Sequence, residues 1–263
     1  MAHAASTAGT DALSPFGRTT VEPTPRRVRV KLDGAVIADS RRALLVLQYG
    51  PNGLPTYYFP PEDVRIDALV PPAKPRPDDA LDYRSVRVGN HVAEHTAWIY
   101  LAPPPDLAAL RGYVSFAWND ALAWYEEEEQ VFVHARDPHK RVDVLASSRH
   151  VQVGIGGEIV ADTRRPYLLF ETWLPTRYYL PRDDVRMDLL EPSGLTTRCP
   201  YKGLATYWSA RVGDATERNV VWSYAEPIPE CPKIKGLLCF FNERVDLTVD
   251  GVLQPRPWTP WSR

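Results

Sequence analysis

Hydrophobic and polar residues alternate along most of this chain in short runs cut by glycine and proline, the pattern of strands rather than helices. Arg27 to Leu32 reads Arg-Val-Arg-Val-Lys-Leu. Successive side chains on a strand point to opposite faces, so one set is buried and the other is wet. Asp33-Gly34 predicts a two-residue hairpin turn, with Ala35 to Asp39 as the returning strand. Further strands are predicted at 43–49, 56–59, 82–88 and 91–100, with turns at Pro51-Asn52-Gly53 and Gly89-Asn90. Pro60-Pro61 and Pro103-Pro104-Pro105 break the sheet, because proline lacks the N–H that a ladder needs. Gly112 to Trp118 and Ala121 to Glu126 read as a strand pair, or as a strand with a short helical turn.

The pattern then repeats. Tyr57-Tyr58-Phe59-Pro60 followed by Asp63-Val64-Arg65-Ile66-Asp67 returns as Tyr178-Tyr179-Leu180-Pro181 followed by Asp184-Val185-Arg186-Met187-Asp188, Arg186 lying 121 positions after Arg65. Asp39-Ser40-Arg41-Arg42 returns as Asp162-Thr163-Arg164-Arg165, and Val86-Arg87-Val88-Gly89 as Ala210-Arg211-Val212-Gly213. Trp98-Ile99-Tyr100 returns as Trp222-Ser223-Tyr224. The spacing drifts by only a few residues, which predicts two tandem homologous all-β domains, each a compact sandwich or barrel. The expected boundaries are a disordered lead-in over 1–25, a first domain over 26–133, a linker over 134–148, a second domain over 149–253, and a Pro/Trp-rich tail over 254–263 that packs back as a strap.

Five motifs in fixed order carry a family resemblance: Gly-x-x-x-Ala-Asp-[Ser/Thr]-Arg-Arg, Tyr-Tyr-[Phe/Leu]-Pro, Asp-Val-Arg-x-Asp, Thr197-Arg198-Cys199-Pro200-Tyr201-Lys202-Gly203, and Trp-x-Tyr. In these the chain resembles the domain-of-unknown-function family numbered 427, over about 27–133 and again over 149–253. The resemblance implies a β-tent, or Mss4-like, fold in each half. A nucleotidyltransferase label is sometimes attached to that family. This chain has neither a P-loop nor a Gly-Ser followed by a spaced Asp-x-Asp metal pair. The Cys-Pro-Tyr-Lys-Gly motif occurs only in the second half, and the acidic run Glu126 to Glu129 only in the first.

Charge changes the picture little. Thirty-one Lys+Arg against 33 Asp+Glu give a net charge of −2, so no bulk attraction for nucleic acid is expected. No apolar run is long enough for a membrane span. Cys199, Cys231 and Cys239 form neither a disulfide framework nor a zinc ribbon, which fits a cytoplasmic protein. His91-Val92-Ala93-Glu94-His95 has the order of an inverted zinc-protease motif, but that motif needs a helix and these residues read as a hairpin strand. No metal or cofactor is expected. Glu126 to Glu129 reads as a solvated acidic edge.

The candidate chemistry gathers in the second half. Lys202 could bind an anion or, desolvated, serve as a base or Schiff-base amine. Cys199, beside Arg198 and Lys202, could be a nucleophile, though the nearest second-half histidine, His150, lies at the domain edge. The competing reading is a rigid turn with a small buried thiol and a surface lysine. Asp184, Arg186 and Asp188 are predicted to share one face of a strand. There they form either an ion-pair ladder tied to Arg164-Arg165 or Arg41-Arg42, or the polar wall of a pocket. The aromatics either line a small-molecule site or fill small cores. The expected function is small-molecule binding in the second half. Tyr179, Asp184, Arg186, Asp188, Tyr201, Trp222 and Tyr224 are the ligand-binding candidates, and Lys202 and Cys199 the catalytic ones. The alternatives are an enzyme acting on a small organic or nucleotide-like substrate, and an interaction module using the Trp258/Trp261 tail. Oligomeric state is not readable from the sequence.

Overall fold

The alternating runs become strands, and the two halves use them in the same order. The computed structural model describes residues 19–48, 53–213, 215–259 and 261–262. The first half holds β1 (Thr19–Pro23), β2 (Val28–Leu32), β3 (Ala35–Ser40), β4 (Leu44–Gln48), β5 (Thr56–Phe59), β6 (Leu69–Val70), β7 (Leu81–Val88), β8 (His91–Tyr100), β9 (Val114–Phe116), β10 (Ala123–Glu126) and β11 (Glu129–Val131). The second holds β12 (Val142–Ala146), β13 (Val151–Ile155), β14 (Glu158–Thr163), β15 (Tyr167–Glu171), β16 (Arg177–Leu180), β17 (Leu190–Cys199), β18 (Gly203–Val212), β19 (Ala215–Pro227), β20 (Leu238–Phe240), β21 (Asp246–Val249) and β22 (Val252–Leu253). Each half has a seven-stranded sheet, β1-β4-β5-β9-β8-β7-β6 or β12-β15-β16-β20-β19-β18-β17. Each also has a four-stranded sheet, β11-β10-β2-β3 or β22-β21-β13-β14. Adding eleven to a first-half strand number gives its second-half counterpart in every position. Two all-β domains of one topology follow, with compact units at 1–137 and 138–263.

Turn chemistry sets the register. Asp33 and Gly34 both have positive φ (48° and 79°), as do Gly156 and Gly157 (60° and 86°). That is the backbone of the tight hairpin whose twist matches the flanking strands. Of the Pro51-Asn52-Gly53 turn, residues 51 and 52 lie outside the described residues.

Period-two alternation splits each large sheet between two apolar clusters. In β5, Tyr57 and Phe59 join the core shared with the small sheet, while Tyr58 joins a second cluster on the opposite face. In β16, Leu180 and the partly buried Tyr178 face the shared core, and Tyr179 faces away. A 3₁₀ turn covers that outer face, Pro105–Leu110 in the first half and Pro232–Ile234 in the second. Each large side chain buried there contributes about 1.5–3 kcal/mol relative to exposure, so the outer face is a second core.

Four expectations need correction. Thr19–Pro23, expected in the lead-in, is β1 paired to β4, and residues 1–18 lie outside the described residues. Val142–Ala146, expected in the linker, is β12 paired to β15. Residues 182–189 form no strand. Pro181 (φ −57°) starts a 3₁₀ turn over Arg182–Asp184, and a second turn follows at Met187–Leu189, so period-two alternation fails. Glu126 is buried rather than solvated, taking the Tyr57 hydroxyl at 2.8 Å with Arg26 at 3.4 Å, while Glu128 pairs with Arg29 at 2.8 Å. No helix among the described residues is long and apolar enough to cross a membrane.

Candidate functional site

Strands β17 and β18 meet in the turn Cys199-Pro200-Tyr201-Lys202-Gly203. The Lys202 N–H bonds the Cys199 carbonyl at 3.3 Å, and proline at the second position presets the turn. Gly203 is required here. Its φ is +109°, and a Cβ would lie 3.2 Å from the Glu226 carbonyl oxygen and 3.4 Å from the Ile228 nitrogen. The Ile228 N–H in turn bonds the Lys202 carbonyl at 3.1 Å, and the Cys231 N–H bonds that of Ile228 at 2.9 Å. These bonds tie the Lys202 turn to the loop that carries Cys231.

This anchoring directs the Lys202 amine inward. Its side chain is 11% exposed and its ammonium donates to Oε2 of Glu171, at the end of β15. Glu171 is 5% exposed, and its Oε1 faces the Lys140 ammonium at 3.3 Å. Lys140 is 19% exposed and lies 5.6 Å from the Tyr201 ring. Burial by itself would raise the Glu171 carboxyl, but the two ammonium groups outweigh it and hold Glu171 below the usual carboxylate range. Burial by itself would lower the Lys202 amine. The Glu171 charge reverses that, so Lys202 sits above the ordinary lysine value and is an ammonium at neutral pH.

Tyr224, only 4% exposed, stands beside this pair. Burial pushes its phenol well above the ordinary value, with Cys199 and Tyr207 adding to the effect, so it is a neutral donor. Among the described residues its hydroxyl has no hydrogen-bond partner. The neighbouring Tyr207 hydroxyl is engaged with Thr197 at 2.8 Å. Cys199 is part-exposed at the rim, whereas Cys231 is buried and its thiol is pushed up by that burial to about 11. Lys202, Cys199, Tyr201 and Tyr224 are thus brought together.

The remaining predicted residues fall elsewhere. Tyr179 is fully buried, and its hydroxyl accepts from Trp222 Nε1 at 3.1 Å, so the two spend their polar atoms on each other beneath the site. Beside them lies the Arg177 guanidinium, 5.5 Å from the Trp222 ring. Arg177 makes two 2.7 Å bonds to Glu243, whose side chain is fully buried. The tail packs back here, as expected of a strap. Thr259 donates to Glu243 at 2.6 Å, and the Trp261 ring lies 5.7 Å from Arg177.

Asp184, Arg186 and Asp188 do not form one charged face. Asp184 accepts from Thr163 at 2.6 Å and pairs with Arg165 at 2.8 Å, while the Arg186 guanidinium pairs with its neighbour Asp188. They belong to the turns, apart from the aromatic cluster. A surface cleft of about 380 Å³ is lined by Asp162, Thr163, Arg164, Arg165 and Asp184. The first half repeats it with Arg27, Asp39, Arg41, Arg42 and Asp63, in about 480 Å³. In both, a hydroxyl and an arginine from the strand end brace the aspartate of the turn, Ser40 and Arg42 holding Asp63 as Thr163 and Arg165 hold Asp184. That is the ion-pair reading of the motif. His91 starts hairpin strand β8 and pairs with Asp33, and no group of three His, Cys, Asp or Glu among the described residues is placed to hold a metal.

Sequence reasoning missed Glu171 and Lys140. Glu171 ends an apolar strand, where a glutamate reads as a solvated terminus, and its partner lies 31 residues away across the sheet. Lys140 sits in the expected linker. The one available signal was internal, since Gln48 stands in the first half at the place of Glu171 and Asp78 at the place of Lys202. The charge pair is therefore confined to one copy. The Tyr–Trp bond is kept in both, with Trp98 Nε1 donating to the Tyr58 hydroxyl at 3.1 Å.

A comparison with curated proteins finds no match. The family profile described as a domain of unknown function (DUF427) matches twice, over residues 20–127 and 143–251, the spans of the two repeated sheets. The chain therefore belongs to this family and carries two copies of its domain in tandem.

Proposed function

We propose that the second half binds a small organic molecule at the rim formed by Lys202, Tyr224, Cys199 and Tyr201. The observation that carries this is the Tyr224 hydroxyl. It is not one of the sealed, unpartnered polar atoms of the described residues, so it is open to a partner from outside, and it stands beside a buried ammonium–carboxylate pair. A few polar groups converging within aromatic walls describe a ligand site. Tyr179 and Trp222, closed off by their own bond, serve this site as its floor. The near-balanced charge of the chain argues for a small molecule over nucleic acid. Three free thiols support a reducing, cytoplasmic setting.

Catalysis by a neutral Lys202 amine is the weaker reading, because Glu171 keeps that amine protonated. Soaking crystals of the whole chain in a library of small organic fragments tests the proposal. Density between Lys202 and Tyr224 is expected. Hits confined to the first half or to the arginine clefts contradict it.

A further inference from the structure

We infer that this site takes a ligand bearing a single negative charge, with a carboxylate as the simplest case; the inference rests on the reading of the site given above. The argument is a count of hydrogen-bonding capacity. Glu171 is the only carboxylate paired with Lys202 or Lys140 among the described residues, and each of its oxygens faces one of those ammonium groups. Each ammonium carries three donors, so both retain unused N–H groups. The Tyr224 hydroxyl adds an O–H with no acceptor. The open capacity at the site is thus donor capacity.

Charge points the same way. Two ammonium groups share one carboxylate, leaving an excess of one positive charge on side chains that are 5–19% exposed. A charge so placed is poorly hydrated, and its natural complement is an anion. The Cys231 thiol does not supply one, since burial pushes it up to about 11 and keeps it protonated at neutral pH. A cationic ligand would meet the same excess charge as repulsion, which gives the site discrimination as well as affinity.

The test is an NMR titration of the whole chain, followed at the backbone amides of Lys202, Gly203, Ala205 and Tyr224. The probes are benzoate, benzylammonium and benzyl alcohol, which share a ring and differ in charge. Benzoate is expected to shift these amides, and benzylammonium is not. Lys202→Gln should weaken benzoate about tenfold or more, the scale of a lost charged hydrogen bond. Tyr224→Phe, which removes only the hydroxyl and leaves the ion pair intact, should weaken it less, by several-fold. It serves as the check should Lys202→Gln fail to fold. Equal or tighter binding of benzylammonium or benzyl alcohol at these amides overturns the inference while leaving a ligand site in place. If none of the three probes moves these amides, the site reading falls with it.

Discussion

Replacing Glu171 by glutamine leaves the shape of the side chain almost unchanged and strands two ammonium groups beside a neutral amide. Removing one partner of a buried ion pair costs about 3–5 kcal/mol, because the other charge stays out of water. Lys140 is the more exposed of the two lysines and can turn toward solvent, so the stranded charge is that of Lys202, 11% exposed. Glu171→Gln should therefore lose about 3–5 kcal/mol, a large part of the roughly 5–15 kcal/mol that holds a domain together. Lys202→Met should cost nearer ~3 kcal/mol, since Glu171 keeps Lys140 at 3.3 Å. The double variant contains no stranded Lys202 charge. It should be less destabilised than the sum of the singles by about 2 kcal/mol, within the usual range for residues in contact. Urea denaturation followed by circular dichroism gives the three values, and hydrogen exchange should place the loss in second-half amides. Additive effects below ~1 kcal/mol each, the behaviour of a solvated surface pair, would refute the buried-pair reasoning.

Four further outcomes follow from the same geometry. Glu243→Gln should cost about 3–5 kcal/mol in urea, because the buried Arg177 guanidinium loses its counter-charge and at least one of its two 2.7 Å bonds. Thr259→Val should cost about 1–2 kcal/mol and should release the tail, seen as faster proteolysis after Gln254. Gly203→Ala should lower the melting temperature by an amount equivalent to about 1–3 kcal/mol, since it combines a φ of +109° with a 3.2 Å contact to backbone. Acid titration completes the set. Glu171 and Glu243 sit below their unfolded values, so their contribution is full above an unfolded glutamate pKa of about 4.3 and is lost as pH falls through the folded values. The stability gap between the wild type and Glu171→Gln should hold near neutral pH and close as the acid limb is entered.

The strands were legible because period-two alternation and Gly/Asp turns are local signals; Asp33-Gly34 and Gly156-Gly157 sit in the hairpins they predict. The duplication was legible for the same reason, since Tyr-Tyr-x-Pro and Trp-x-Tyr survive in both copies. The turns at 182–184 and 187–189 were misread because Asp-x-Arg-x-Asp alternates like a strand while Pro181 commits the backbone to a turn. Lys202, Cys199 and Tyr201 stand out in the sequence through their Cys-Pro-Tyr-Lys-Gly turn. Glu171 and Lys140 do not, because a long-range charge pair leaves no periodicity behind. Trp222 and Tyr179 read from the sequence as ligand-binding candidates, and only the fold shows the bond they make to each other.

The most direct measurement is on the Lys202 side chain itself. In protein carrying ¹³C/¹⁵N-labelled lysine, the Lys202 side-chain resonances should report an ammonium from neutral pH to beyond about 10.4, the ordinary lysine value, and should shift when benzoate is added. A neutral amine at pH 7, or an ammonium signal that no small molecule perturbs, would contradict the account.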